Sequence, residues 1–414
     1  MTTITISLDL DDVTILAVEY PDQETIRITV ESTMLGTRCR RCGRWITHPH
    51  GTDRAIDLRH LPILGRVTII RVCPKRYRCG TCRRRPTTTQ RLPWHTRRGG
   101  HTPAYDASLV RQVINSTVED VSQREQVGYK AVMGALRRHV ATEVRWEEID
   151  RLEVLGVDEI ALKKGHKDFV AIVTGRCEGQ THLLAVLTDR TKATVKAFFQ
   201  QIPARLRKQI VAICTDLYEG FVNAAAEVFG REKVVADRFH VTRLYRNVLE
   251  NARKRELRRL KENLPEAEYA KLKGVMWTLR KTPQALSHKE HGQLRLLFRH
   301  APALQECYDA CQALTDIFDT TGRSVAQARQ DISQWMERVK QTRGKDWTSF
   351  LNTLTTHWTI ITNYFLNRHN SGFVEGLNNK IKVIKRRCYG LLNSQHLFQR
   401  ISLDLAGYQG KTAI

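Results

Sequence analysis

The chain has 414 residues, and its 67 lysines and arginines outnumber 43 acids, a formal net charge of +24. An excess of that size points to a polyanionic partner, nucleic acid first, and weighs against a purely structural scaffold. No apolar run approaches the length of a membrane span and the start, "MTTITISLDLDD", lacks a basic-then-apolar leader, so a soluble cytosolic protein without a membrane partner is expected.

Taken in chain order, "TITISLDL" and "TIRITVEST" alternate apolar and polar residues and predict short strands. Two knuckles follow, Cys39-x-x-Cys42 in "TRCRRCGR" and Cys79-x-x-Cys82 in "YRCGTCRR", with the strand-like "LPILGRVTIIRVCPKRY" between them. The chain has ten cysteines, and in a reducing compartment they are expected to bind metal or be buried, not to form a disulfide framework. Four thiolates make a closed tetrahedral site, so Cys39, Cys42, Cys79 and Cys82 predict structural zinc, with Cys73 as a lesser substitute. A redox pair would need a βαβ setting that the sequence lacks. The stretch "RRRPTTTQRLPWHTRRGGHTP" (83–103) reads as a linker.

From Tyr105 the apolar spacing becomes helical. In "TVEDVSQREQVGYKAVMGALRRHVATE", Val118 and Val121 share one face of a short helix, and Val132, Leu136 and Val140 share a face of the next, with a turn near Val127–Gly128. This is helix-turn-helix spacing. Its second helix carries Tyr129, Lys130, Arg137 and Arg138, suited to phosphate contacts and base readout in a major groove.

Strand patterns return from Leu152: "VLGVDEIAL", "DFVAIVTGR" and "THLLAVLTD" predict an antiparallel meander. A helix, the buried strand "QIVAICTDL", another helix and the strand "KVVADRFH" complete the order β-β-β-α-β-α-β. Residues 241–365 read as helix, and a last helix begins at Gly372.

Asp158 lies within the first of these strands and Asp216 at the end of the fourth. If the fourth strand returns parallel to the first and beside it, the two acids become neighbours. Buried acids side by side are costly unless a hard divalent cation compensates them. Glu375 is the one acid between Trp347 and Leu403, and it stands beside Lys380, Lys382, Lys385, Arg386 and Arg387 in "NSGFVEGLNNKIKVIKRR". A third carboxylate there would complete a cage for two Mg²⁺ or Mn²⁺ ions, able to activate a water or a 3′-hydroxyl for phosphoryl transfer. The surrounding cations would hold the DNA backbone. Asp237 is the rival second ligand, one strand further out, and it can pair instead with His240.

Together these stretches resemble bacterial insertion-sequence transposases of the ISL-three family, which carry an Asp-Asp-Glu triad. The resemblance rests on "GVDEIALKKGHKDFVAIVTG", "CTDLYEGFVNAAAEVFG", "VVADRFHV", "NSGFVEGLNNKIKVIKRRCYG" and the paired cysteines. It implies a multidomain α/β protein whose catalytic core has the RNase H-like, retroviral integrase-like fold, interrupted by an all-α insertion. It implies Asp158, Asp216 and Glu375 as the triad, with Asp237 and His240 in support.

The expected domains are a strand-rich zinc-binding domain (1–98), a helix-turn-helix (103–148), the first part of the core (150–241), the insertion (242–362) and the rest of the core (363–414). The expected partners are double-stranded DNA, at terminal inverted repeats and at a target, and further copies of the chain, as a dimer or larger, because two ends are cut together. The expected place is the bacterial cytoplasm, at the nucleoid when bound. The rival reading is a zinc-containing transcriptional regulator without catalysis, which would need none of the three acids.

Overall fold

The computed structural model describes residues 6–96, 99–162, 169–369, 372–391 and 393–408, apart from the side chains of 372–375. Two compact units make up the chain. The first comprises residues 1–142, 384–389 and 399–414, and the second residues 143–383 and 390–398.

Among the described residues the first unit begins with nine strands: β1 (Val13–Glu19), β2 (Thr25–Ser32), β3 (Thr37–Arg38), β4 (Trp45–Ile46), β5 (His48–Thr52), β6 (Ile56–Ile63), β7 (Arg66–Val72), β8 (Lys75–Arg78) and β9 (Thr87–Thr89). One sheet has the order β1-β2-β7-β6, a second β5-β8-β9, and β3 pairs with β4. Alternation along β2 and β7 buries Ile26, Ile28, Val30, Ile70 and Val72 on one face with Leu58 of β6.

Two expectations fail here. Residues 6–10 of "TITISLDL" form no strand, and residues 1–5 lie outside the described residues. Asp9 and Asp12 have left-handed φ of 47° and 54°, which interrupts an extended backbone, although Leu8 and Leu10 still pack against the sheet core. The stretch 83–103 is no simple linker. It contributes β9, buries Leu92 and Trp94 in the same core, and the Trp94 indole N–H donates to the Asp11 carbonyl at 3.0 Å.

Three helices follow in the same unit: α1 (Pro103–Val113), α2 (Val118–Glu125) and α3 (Tyr129–His139). Thr102 caps α1 and Thr117 caps α2 through their hydroxyls. Gln126 takes a left-handed φ of 53° at the end of α2, which turns the chain into α3. Val118, Val121, Val132 and Leu136 are buried in their shared core with Leu109 and Val113.

The last turns of the chain's C-terminal helix join this unit. Asp404, fully buried, accepts from Arg387 at 3.0 Å and lies 3.7 Å from the fully buried Arg400. Arg400 also donates to the carbonyls of Val113 and Ser116 at 3.1 and 2.9 Å. Replacing Asp404 with Asn leaves the Arg400 guanidinium without its countercharge. The expected cost is about 3–5 kcal/mol, the usual result of halving a buried ion pair, seen as a drop in the denaturation midpoint of this unit.

The second unit is built on a five-stranded sheet. Its elements are β10 (Val154–Ala161), β11 (Phe169–Cys177), β12 (Gln180–Val186), α4 (Lys192–Gln201), α5 (Ala204–Arg207), β13 (Ala212–Thr215), α6 (Glu219–Phe229) and β14 (Val234–Ala236). The strand order is β12-β11-β10-β13-β14. β10, β11 and β12 pair antiparallel, and β13 and β14 then add parallel strands. The two parallel strands β13 and β14 read as continuous apolar runs and are buried throughout, as parallel strands covered on both faces require.

Helices α7 (Arg238–Asn263), α8 (Glu266–Ala270), α9 (Val275–Thr278), α10 (His288–His300), α11 (Pro302–Asp319), α12 (Val325–Thr356), α13 (Trp358–Thr362) and α14 (Tyr364–Asn367) come next. They extend the same core, with Trp335 and Trp347 packed edge to face at 5.1 Å. Their end is fastened to the sheet: the buried Asn363 amide donates to the carbonyls of Val234 and Glu232 at 2.9 and 3.1 Å. Helices α15 (Gly372–Arg387) and α16 (Ser394–Ala406) complete the chain.

Candidate active site

The last ladder pairs at the C-terminal ends of β13 and β14 set the acids side by side. Val157 pairs with Thr215, and Thr215 with Ala236. The next residues are Asp158, Asp216 and Asp237. Asp158 and Asp216 thus sit at neighbouring positions, as the parallel return of the fourth strand predicts, and Asp237 lies one strand further out. Ligands gather at such carboxyl ends of parallel strands, where each chain leaves the sheet.

Each acid is oriented by its own backbone. Asp158 Oδ1 accepts from the Glu159 N–H at 2.7 Å, Asp216 Oδ1 from the Tyr218 N–H at 2.9 Å, and Asp237 Oδ1 from the Phe239 N–H at 3.0 Å, capping α7. His240 Nε2 lies 3.7 Å from Asp237 Oδ2. Burial pushes the Asp158 carboxyl up to about 6; Asp216 and Asp237 add to the rise, and the Glu159 N–H and His240 oppose it. Asp216 is also raised, by burial and by the charges of Glu159 and Asp237, against the pull of the Tyr218 N–H and His240. Both carboxylates are therefore under-compensated by the protein alone.

Helix α15 closes on this edge through Asn378, whose Nδ2 donates to Asp158 Oδ2. Asn378 is buried and its Oδ1 has no hydrogen-bond partner among the described residues; nor has the buried Thr215 Oγ1. A buried orphan acceptor beside two carboxylates fits a cation with bound water. The backbone of Glu375 belongs to α15, and its side chain lies outside the described residues.

The other expected residues are distributed as follows. Lys380, Lys382 and Arg386 are exposed on α15, whereas Lys385 and Arg387 are half-buried. Burial lowers the Lys385 ammonium, and Arg387 is held by Asp404. On α3, Lys130 and Arg137 are exposed. Arg138 is exposed as well and is paired at 2.7 Å with the buried Asp106, which also takes His101 at 2.9 Å. Burial would raise Asp106, but His101, His139 and Arg138 hold it well below the usual carboxylate range.

The four knuckle cysteines converge. The Sγ atoms of Cys39, Cys42, Cys79 and Cys82 all lie within 4.8 Å of one another, the one group of three or more such donors that close among the described residues. Cys39-x-x-Cys42 forms the turn between β3 and β4, and Cys79-x-x-Cys82 the turn between β8 and β9. The Arg41 N–H points at Cys39 Sγ at 3.5 Å. Backbone N–H groups of Cys42 and Arg41 lower the Cys39 thiol to about 6, and those of Cys82 and Thr81 lower Cys79. Burial and the neighbouring cysteines push the Cys82 thiol the other way, up to about 12; a quartet of converging sulfurs with thiolate-favouring N–H groups at Cys39 and Cys79 is compatible with a structural zinc site. Cys73 is exposed and outside the quartet.

Sequence reading missed Asn378, Arg190, Asp106 and Asp404. Asn378 left one usable signal, its spacing of three from Glu375 on a predicted helix.

A helix-turn-helix in one unit and a sheet edge of neighbouring acids in the other are features of a DNA-processing protein, and comparison with known families agrees. A family described as "Transposase" matches residues 155–401, and one described as "Helix-turn-helix domain of transposase family ISL3" matches residues 90–140. The chain belongs to the ISL3 family of insertion-sequence transposases. It is similar to the transposase for insertion sequence element IS1001 of Bordetella parapertussis, 26% identical over 94% of each chain. It is also similar to the transposase for IS1557 of Mycobacterium tuberculosis, 24% identical over 92% of this chain and 88% of the relative. Membership of this family implies use of a divalent metal. No helix among the described residues is long and apolar enough to cross a membrane.

Proposed function

We propose that the protein cuts DNA at the ends of its element and joins the freed ends to target DNA, with Asp158, Asp216 and Glu375 as the catalytic acids. The observation that carries this reading is the bond from Asn378 on α15 to Asp158, on the strand beside Asp216. Residues three apart share a helix face, so position 375 stands on the face of α15 that carries Asn378. Three antiparallel strands followed by two parallel ones support an RNase H-like core, and the helices α7–α14 between Asp237 and α15 support the reading of 242–362 as an insertion. The domain limits 1–98, 103–148, 150–241, 242–362 and 363–414 belong to the same proposal.

Two divalent ions, Mg²⁺ or Mn²⁺, held by the three acids would supply Lewis-acid activation and charge neutralisation at phosphorus. The chain's own groups do the rest. The Glu159 and Tyr218 N–H groups fix the two aspartates, and Asn378 holds the second oxygen of Asp158. Asp237 and His240 shape the outer edge. Lys380, Lys382 and Arg386 bind backbone phosphates; Lys385 and Arg387 line the same helix. In the first step water attacks the scissile phosphate, the P–O3′ bond breaks, and the element end leaves with a 3′-hydroxyl. In the second that hydroxyl attacks a target phosphate and one P–O bond replaces another. Lys130, Arg137 and Arg138 on α3 read or grip the terminal inverted repeats, and a zinc ion on the cysteine quartet would tie the β3–β4 turn to the β8–β9 turn. Two ends cut together call for at least two copies on DNA.

The test uses pre-cut, labelled inverted-repeat ends, supercoiled plasmid and Mg²⁺ or Mn²⁺. Joined products are expected. End binding without cleavage or joining would leave a DNA-binding regulator, and cleavage without joining would leave a nuclease.

A further inference from the structure

Arg190 follows β12 and is held from three sides. Its guanidinium lies over the Phe169 ring at 4.5 Å and the Tyr218 ring at 4.9 Å. Its Nη1 donates to Glu159 Oε2. These contacts tie it to both acid-bearing segments, since Glu159 follows Asp158 on β10 and the Tyr218 N–H holds Asp216. The side chain remains 38% exposed. An arginine clamped between two rings has its planar fork pre-set, with little rotamer freedom left to lose, and Glu159 occupies only one of its five donors. A structural ion pair alone has no need of two rings. An edge crowded with Asp158, Glu159, Asp216 and Asp237 repels a phosphodiester, and a fixed cation beside it offsets that repulsion where the backbone approaches.

We propose that Arg190, stacked between Phe169 and Tyr218, is a phosphate clamp that seats the DNA backbone next to the acids. The proposal rests on the reading of Asp158 and Asp216 as the catalytic edge. Arg190 is a binding and positioning residue; it takes no part in bond making.

Binding is measured in EDTA, where no cleavage occurs, on a duplex ending at the terminal base of the inverted repeat and on one shortened past its end. On the complete end, R190Q is expected to weaken binding about tenfold and to flatten the plot of log K against log salt by about 0.9, the loss of one phosphate contact. On the shortened duplex R190Q should match the wild type. R190K, with the charge but without the fork, should keep the slope and lose affinity by less than R190Q. A correctly folded R190Q with wild-type slope on the complete end overturns the clamp and leaves a surface ion pair. If R190Q does not fold, R190K decides: unchanged affinity on the complete end overturns the proposal, and reduced affinity confined to that duplex supports it. Cleavage by D158N in a separate Mg²⁺ assay would overturn the catalytic reading while leaving these binding results intact, so the two failures are distinguishable.

Discussion

Replacing Asp216 with Asn is expected to reduce end cleavage and joining by about a thousandfold or more, because losing a metal-holding carboxylate removes roughly 4 kcal/mol or more of transition-state stabilisation. Asp158→Asn and Glu375→Gln should do the same. Binding of the inverted repeat should stay within about threefold of wild type, since Lys130 and Arg137 lie on α3 and the Coulomb change at the acid edge favours DNA if anything. Folding should not suffer either: burial raises both Asp158 and Asp216, so a neutral amide at either site relieves repulsion. The measurement is strand cleavage and joining beside thermal denaturation. Asp237→Asn separates the two candidate second ligands. Asp237 caps α7 by its Phe239 N–H bond, a role Asn can keep. Activity lost in Asp237→Asn but kept in Asp216→Asn would move the assignment one strand outward.

The parts of this arrangement that sequence displays are those written into local periodicity. β13 and β14 announce themselves as apolar runs followed by an acid, β10 as an apolar run with Asp158 within it, and parallel strands so buried leave few places for their C-terminal residues but one edge. The helix-turn-helix likewise follows from the spacing of Val118, Val121, Val132 and Leu136. Partners that meet only through tertiary folding left no such trace. Asn378 finds Asp158 from 220 positions away, and Arg400 and Asp404 reach the end of α1 and the residues after it from 287 and 289 positions away. Arg138 and Arg387 show the same limit from the other side. Their charge suggested DNA, and each also has an acidic partner that spacing alone did not display, Asp106 for the exposed Arg138 and Asp404 for the half-buried Arg387. Composition misled over 83–103 as well, because two large apolar residues, Leu92 and Trp94, outweigh the many turn-forming neighbours once a hydrophobic face is available to receive them.

Removal of one knuckle cysteine has the second large effect. Cys79 is completely buried and Cys39 nearly so, and the small cluster they form with Ile46 and Tyr77 has little apolar area of its own. Such a cluster cannot hold β3, β4, β8 and β9 together by burial alone. A bound zinc in small domains supplies about 10–16 kcal/mol of apparent free energy, which becomes folding energy because the unfolded chain offers no formed site. Cys79→Ser should therefore abolish binding of about one zinc per chain, measured by metal analysis after gel filtration, and melt the knuckle region. The helical core around Leu109, Val121 and Leu136 is a separate cluster, so far-UV helicity should persist while the sheet signal falls. Chelation of the wild type should reproduce the same loss and added zinc should reverse it. Cys73→Ser, at an exposed thiol outside the quartet, should change neither zinc content nor stability. A metal-free wild type that melts like Cys79→Ser, with no response to zinc, would mean that the quartet is held by packing and that the thiolate-favouring N–H groups serve no metal.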